Sequence, residues 1–196
     1  VRSKATSAHV LQAIEVDFSG VEAARGALRK AWREREGASL TYLPFVARAV
    51  ALALELTPHF TLRELLHSDT AKARGIANDP NAAQIAALRH LCIHILEPVR
   101  GKFGPVRITS GFRIFTPASQ HGRGEAADFE VTGVANIIVA RWIRDTLPFD
   151  QLILEAWSPD DPNAGWVHTS ATVRQMRKSV LRTPTGGPPY FAGLPK

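Results

Sequence analysis

The sequence predicts an α+β fold in which helices flank a small antiparallel sheet, preceded by a strand-helix-helix segment. From residue 60 onward, short stretches typical of strands are mixed with amphipathic stretches typical of helices, without strict alternation. A length of 196 residues suffices for one domain with a full core and a small additional piece. Hydrophobic residues make up 45% and charged residues 21% of the chain, as in soluble globular proteins.

The N-terminal segment is predicted to contain one strand and two helices. Apolar and polar residues alternate over residues 8–18, which indicates a strand. Ser19 and Glu22 have the spacing of a capping box, so a charged helix is expected to begin there and to end at Gly37. A second helix is predicted over residues 43–56, LPFVARAVALALEL, and it is apolar almost all round. Such a helix must be buried or must pack on a partner chain.

The remaining elements are predicted from caps, breakers and periodicity. Thr61 and Glu64 form another capping box, a polar loop covers residues 67–80, and Asp79 with Pro80 starts a long helix that ends near Arg100. A further helix is expected over residues 134–147, and the Pro- and Gly-rich residues 183–196 form an extended tail. Strands are expected at residues 105–110, 126–131, 151–157 and 165–170. We place a domain boundary between residues 59 and 60.

Charge and composition limit the classes of partner. The net charge of +6 favours a polyanion such as nucleic acid, an anionic membrane surface or the bacterial cell wall. No stripe of basic and aromatic residues is present, so we expect no nucleic-acid binding. No membrane span is expected, because no run approaches about 18 apolar residues, and no signal peptide is visible, which leaves the localisation unassigned. Cys92 is the single cysteine, so any metal must be held by histidines and carboxylates.

One segment, SQHGRGEAADFE, places His121 and Asp128 seven positions apart with two glycines between them. A catalytic zinc ion takes three ligands from the protein and one from water, and His168 in GWVHTS would supply the third. The spacing is also typical of a histidine in a loop, an acid at a strand edge and a histidine in the core. From the residues alone, both interpretations stay open.

Two further residues have chemistry that suits a hydrolytic site. Glu155 ends the apolar run QLILE, so it is either a buried general base with a raised pKa or an acid at an exposed strand end. Arg113 closes the turn SGFR, where a fixed guanidinium can bind a carboxylate, or where an ordinary surface arginine can lie. His90 and His94 fall about half a turn from the apolar stripe of their helix, and we expect them to face solvent.

Taken in order, these motifs resemble a known family. The stretches FTLRELLHSDTA, PVRITSGFR, SQHGRGEAADFEV, ARWIRDTLPFDQLILE and GWVHTS are together similar to the zinc D-alanyl-D-alanine carboxypeptidases, which include phage endolysins and share the fold of the hedgehog signalling domain. The resemblance covers about residues 60–182. It implies hydrolysis of D-Ala-D-Ala or related peptide bonds of peptidoglycan, or else a non-catalytic zinc-containing module that binds the cell wall.

The resemblance also assigns roles to individual residues. His121, Asp128 and His168 would hold zinc, and Glu155 would be the base. Arg113 would hold the substrate carboxylate or polarise its carbonyl. Ser119 belongs to the same motif as His121 and would bind substrate. The segment between Arg113 and Ser119 is shorter than is usual in that family.

The first part of the chain is similar to a different family. Residues 7–60 resemble the start of the catalytic domain of 2-oxo acid dehydrogenase acyltransferases. The likeness stops before the H-x-x-x-D-G motif that carries the acyl-transfer histidine, and no such motif occurs in the chain. We therefore expect a fusion, natural or engineered, in which this truncated segment precedes a peptidase-like domain. The segment is expected to contribute self-association through the helix at residues 43–56 rather than acyl transfer.

Overall fold

The structure, a computed structural model, describes residues 17–52, 55–161 and 163–195. It divides into two compact units, Val1–Val50 and Ala51–Lys196. The strand predicted over residues 8–18 lies almost entirely outside the described residues, and the domain boundary between residues 59 and 60 stays a prediction. In the described part of the chain, no helix combines the length and the apolar character that crossing a bilayer requires.

The first unit contains two helices, α1 (Ser19–Glu36) and α2 (Leu43–Leu52). Helix α1 ends as predicted at Gly37, whose φ of 67° lies in the left-handed region that glycine favours. The predicted capping box is wrong, since Ser19 lies inside the helix and its N–H donates to the carboxylate of Asp17 at 2.9 Å. The carboxylate of Glu22 instead accepts hydrogen bonds from Arg25 and Tyr42.

Helix α2 is shorter than predicted and is not buried. It ends at Leu52, and Glu55 and Leu56, which were predicted to be helical, belong to strand β1 (Glu55–Thr57). The side chains of Leu43, Val46 and Val50 are exposed, Leu43 by 72%. The prediction of burial within the chain is therefore wrong for these three residues, and contact of the helix with a partner chain stays a prediction.

The second unit begins with a hairpin and a series of helices. Strand β1 pairs with β2 (Phe60–Thr61), and the capping box of Thr61 and Glu64 is confirmed at the start of the next helix. The long helix begins later than predicted, because Asn81 rather than Asp79 caps it and Gln84 completes the box. The helical elements are α3 (Leu62–Leu65), α4 (Asp69–Ala73) inside the predicted polar loop, α5 (Ala82–Leu91), a π-helical turn (Cys92–Leu96) and α6 (Glu97–Phe103).

A six-stranded sheet forms the centre of the second unit and confirms the α+β class. Its strands are β3 (Val106–Ser110), β4 (Ala126–Val131), β5 (Gln151–Glu155), β6 (Trp166–Ser170), β7 (Ser179–Arg182) and β8 (Phe191–Ala192). Their order in the sheet is β3-β4-β6-β5-β7-β8, and all neighbours are antiparallel except the parallel pair β5–β7. Helix α7 (Asn136–Thr146) packs against the sheet. Strand β7 was not predicted, and β8 lies within the predicted tail.

The two faces of the sheet have opposite chemistry, because successive side chains of a strand point to opposite sides. One face is apolar and joins the helices in the core through Phe129, Leu152, Leu154 and Val167, together with residues such as Leu88 and Ile143. The other face of the same strands bears Asp128, Ile153, Glu155 and His168. The polar residues therefore converge on the face that is not used for the core.

Candidate metal centre

Strand pairing brings Asp128 and His168 together. They are direct partners in the antiparallel pair β4–β6, so their side chains lie next to each other on one face. The Oδ1 atom of Asp128 lies 2.8 Å from Nδ1 of His168, and both residues are buried.

The loop between β3 and β4 delivers His121 to the same point. The ring atom Nδ1 donates to the carbonyl oxygen of Gly111 at 2.7 Å, which leaves Nε2 facing the pair. That Nε2 atom lies 3.2 Å from Nδ1 of His168 and 3.3 Å from Oδ1 of Asp128. The loop can turn this tightly because Gly122 packs against backbone, where a Cβ atom would come within 2.0 Å of the carbonyl oxygen of Thr116.

The three residues have a geometry that fits a zinc ion. The ligand atoms of His121, Asp128 and His168 all lie within 4.8 Å of one another. Zinc–ligand bonds of 2.0–2.1 Å in a tetrahedral array require about 3.3 Å between ligand atoms, which is close to the separations in this cluster. Two nitrogens and one carboxylate oxygen also form a donor set that zinc accepts, with one position left for water.

Gln120 fixes the orientation of His168 and was missed by the analysis of the sequence. The Nε2 atom of His168 donates to Oε1 of Gln120 at 3.2 Å, so Nδ1 is left to face the cluster. The amide nitrogen of Gln120 in turn donates to Asp150 and to Ser170, both at 2.7 Å. Asp150 is held by an ion pair with Arg177. Hydrogen-bond partners of this kind orient metal ligands. In the sequence, only the position of Gln120 next to His121 pointed to such a role.

Arg113 reaches the cluster through Asp128. Its guanidinium donates to Oδ2 of Asp128 and, through Nε, to Oγ of Ser110 at 2.8 Å. Burial alone would raise the pKa of Asp128, but its contacts with His121 and His168 outweigh the effect of burial, and this pKa lies well below its usual range. The carboxylate is therefore ionised, as a metal ligand must be. Contact of Arg113 with a substrate carboxylate stays a prediction.

Glu155 is buried on the same face of the sheet. Its residue exposure is 9%, so the interpretation as an acid at an exposed strand end is wrong. Burial raises its pKa, and the negative charge of Asp128 raises it further, against smaller lowering effects of His168, Arg113 and Trp166. Within the described residues, no ion pair holds this carboxylate. A carboxyl group of raised pKa beside a cluster that could hold a metal has the properties of a general base.

Ser119 stabilises the turn before His121. Its hydroxyl donates to the carbonyl oxygen of Thr116 at 2.8 Å and accepts from the N–H of Gly122 at 3.0 Å. Ser119 also lines a surface pocket together with Gln120 and the arginines at positions 123, 174 and 177. Its predicted role in binding substrate stays a prediction.

His90 and His94 differ from their prediction, since both are half-buried rather than solvent-facing. Their ring centroids lie 4.2 Å apart, and Nε2 of His90 is buried without a hydrogen-bond partner among the residues that the structure describes. Burial, and then the neighbouring His94, lowers the pKa of His90. Among the described residues, the cluster of His121, Asp128 and His168 is the one group with the composition and proximity of a metal site.

Comparison with known proteins agrees with both resemblances. Residues 58–159, more than half of the chain, match the family described as Peptidase M15. Residues 1–70 match the family described as 2-oxoacid dehydrogenases acyltransferase (catalytic domain). The dihydrolipoyllysine-residue acetyltransferase components of the pyruvate dehydrogenase complex from Mycobacterium bovis and Mycobacterium tuberculosis are each 32% identical over 90 residues. Those matches cover 43% of this chain and 16% of each relative, so the chain spans about a sixth of their length.

Proposed function

The chain belongs to the peptidase M15 family, and from this premise we propose that it uses zinc to hydrolyse D-Ala-D-Ala or a related peptide bond of bacterial peptidoglycan. Membership supports a metallopeptidase in general, and the bond and the polymer are our proposal. The observation that carries it is the position of Glu155, which is buried without an ion pair to any described residue, on the same sheet face as the His121–Asp128–His168 cluster.

The proposed mechanism divides the chemistry between the metal and Glu155. A bound zinc ion would act as a Lewis acid on a water molecule and on the scissile carbonyl. His121, Asp128 and His168 would hold that ion. Glu155 would accept the proton of the attacking water and then donate it to the leaving amine, which its raised pKa suits.

Positive charge supports an anionic substrate. The chain carries a net charge of +6, and stem peptides of the cell wall end in carboxylates. Arg113 holds Asp128 and keeps 31% of its side chain exposed, so its outer edge is available to a substrate carboxylate. We propose that Arg113 orients the peptide, and that Ser119 contacts the peptide from the neighbouring turn.

Metal analysis combined with a hydrolysis assay tests this function. The wild type is expected to bind about one zinc per chain and to release D-Ala from a peptide that ends in D-Ala-D-Ala. Glu155→Gln should retain zinc and lose roughly 10²- to 10⁴-fold in kcat. Glu130→Gln is the matched control, because Glu130 pairs with the exposed Arg107. Full hydrolysis by zinc-free protein would refute the proposal.

A non-catalytic module that binds the cell wall is the second candidate. It is favoured by the engagement of Arg113, whose guanidinium is already shared between Asp128 and Ser110. In that case the wild type would show no turnover, and Glu155→Ala would retain both zinc and binding to purified peptidoglycan. Loss of binding in Glu155→Ala would contradict the module.

We also propose that α2 mediates association with a second copy of the chain. The observation behind this is the exposed apolar side chains of Leu43, Val46 and Val50. Contact between copies would remove these side chains from water. Sedimentation velocity of the wild type and of the Leu43→Lys, Val50→Lys double variant tests it. Equal sedimentation of the two proteins would refute it.

A further inference from the structure

The C-terminal part of the chain adds an edge to the sheet beside Glu155. Strand β7 runs parallel to β5 with Leu154 opposite Arg182, and β8 runs antiparallel to β7 with Arg182 opposite Phe191. Thr183 continues this pairing, since its N–H donates to the carbonyl oxygen of Leu154 at 2.9 Å. Continued by one residue beyond the strands, this register would place Glu155, Thr183 and Tyr190 in the next row.

Alternation places Tyr190 on the face that carries the metal-binding cluster. Ile153, Leu181 and Ala192 lie opposite one another and share this face. Side chains two positions along an extended chain return to the same face, so Glu155, Thr183 and Tyr190 are expected on it as well. Strands lie 4.7–4.9 Å apart, which puts the Cα atoms of Glu155 and Tyr190 about 10 Å from each other.

Electrostatics agrees with this placement. Burial raises the pKa of Tyr190, and the charges of Glu155 and Asp128 raise it further. Tyr190 is 44% exposed, and its hydroxyl forms no hydrogen bond with the described part of the chain. The hydroxyl group is therefore available to a ligand.

The segment that carries Tyr190 is held in place by its own hydrogen bonds. The carbonyl oxygen of Gly187 accepts from the hydroxyls of Thr183 and Thr185, at 2.6 Å and 2.8 Å. The N–H of Ala156, which follows Glu155, donates to the carbonyl oxygen of Thr185 at 3.0 Å. Gly186 packs against Trp166, where a Cβ atom would lie 2.9 Å from the indole ring. The tail is thus an ordered part of the site.

We infer that Tyr190 is a substrate-contacting residue and that the C-terminal strand forms one wall of the cleft. Its hydroxyl donates a hydrogen bond to a main-chain carbonyl oxygen of the peptide, on the side of Glu155 away from the metal ligands. This inference rests on the proposed function, because it assumes a peptide bound across Glu155. It assigns a binding role to a residue outside every motif identified in the sequence.

The chain offers a matched control for this role, because it contains two tyrosines. Tyr190→Phe removes only the hydroxyl and should raise KM roughly 3- to 10-fold with kcat little changed, as for one lost hydrogen bond to bound substrate. Tyr42→Phe removes the same group in the first unit, where the hydroxyl donates to Glu22, and should leave KM unchanged. A wild-type KM in Tyr190→Phe would overturn the inference.

Two further measurements separate this inference from the proposed function. Calorimetric titration with a peptide ending in D-Ala-D-Ala uses zinc-loaded proteins that also carry Glu155→Gln, so that hydrolysis is slow. The Kd should be roughly 3- to 10-fold higher with Tyr190→Phe than with Tyr42→Phe. If the wild type binds the peptide without hydrolysing it, the proposed peptidase activity is refuted, and the contact between Tyr190 and the peptide can still be tested. An equal Kd for the two variants would overturn the inference. Gly186→Val displaces the segment from Trp166 and should raise the Kd in the same direction, and an unchanged Kd would count against an ordered wall.

Discussion

Replacement of Gln120 by alanine tests whether the orientation of His168 depends on this side chain. The change removes the acceptor for His168 and the two donated bonds of 2.7 Å to Asp150 and Ser170. Loss of such an outer partner typically weakens metal binding 10- to 100-fold, or by about 1.4 to 2.7 kcal/mol. The two short bonds contribute roughly 1 to 3 kcal/mol to folding of the zinc-free protein, and Asp150 keeps its ion pair with Arg177.

Competition of the protein with a chromophoric zinc chelator at pH 7.5 measures this effect directly. Gln175→Ala is the matched control, because Gln175 is exposed and forms no hydrogen bond within the described residues. We expect Gln120→Ala to bind zinc 10- to 100-fold more weakly than Gln175→Ala, by this order-of-magnitude estimate. Equal zinc affinity of the two variants would refute the reasoning, since His168 would then be oriented without Gln120.

Three other predictions follow from the site. His121→Ala should lose stoichiometric zinc in metal analysis while His94→Ala retains it, and retention by His121→Ala would contradict the ligand set. Burial raises the pKa of Glu155, so the folded protein loses stability as the pH rises through this pKa and the carboxyl group ionises. Glu155→Gln should therefore raise the Tm of the zinc-free protein more at pH 8 than at pH 5. An equal rise in Tm at the two pH values would argue against this reasoning. Gly122→Ala should lower the free energy of unfolding, measured by denaturant titration, by roughly 2 to 4 kcal/mol, because the added Cβ atom would clash with backbone. Gly187 has open space around it, so Gly187→Ala should change that free energy by less than about 0.5 kcal/mol.

Local structure could be predicted where short-range chemistry decides it. The strand at residues 126–131 and the cap of Thr61 and Glu64 were both predicted correctly, because alternation and side-chain capping are properties of a few neighbouring residues. The cap at Ser19 and the extent of the helix from Leu43 were wrong. At Ser19, a hydrogen bond to the carboxylate of Asp17 forms in place of the predicted cap. After Leu52, the pairing of β1 with β2 takes the place of helix, and the local sequence pattern did not show which alternative is more stable.

The sequence by itself determined which chemical groups are available, and the tertiary structure decided which of them meet. His121, Asp128 and His168 could be proposed from residue type and order, but their spacing along the chain did not distinguish a metal site from a polar loop. Strand register places Asp128 directly opposite His168, and the fold brings both residues close to His121, so the three have the proximity that a metal site requires. The burial of Glu155, the support from Gln120 and the approach of Tyr190 depend on contacts between residues that are far apart in the sequence, which no local pattern encodes.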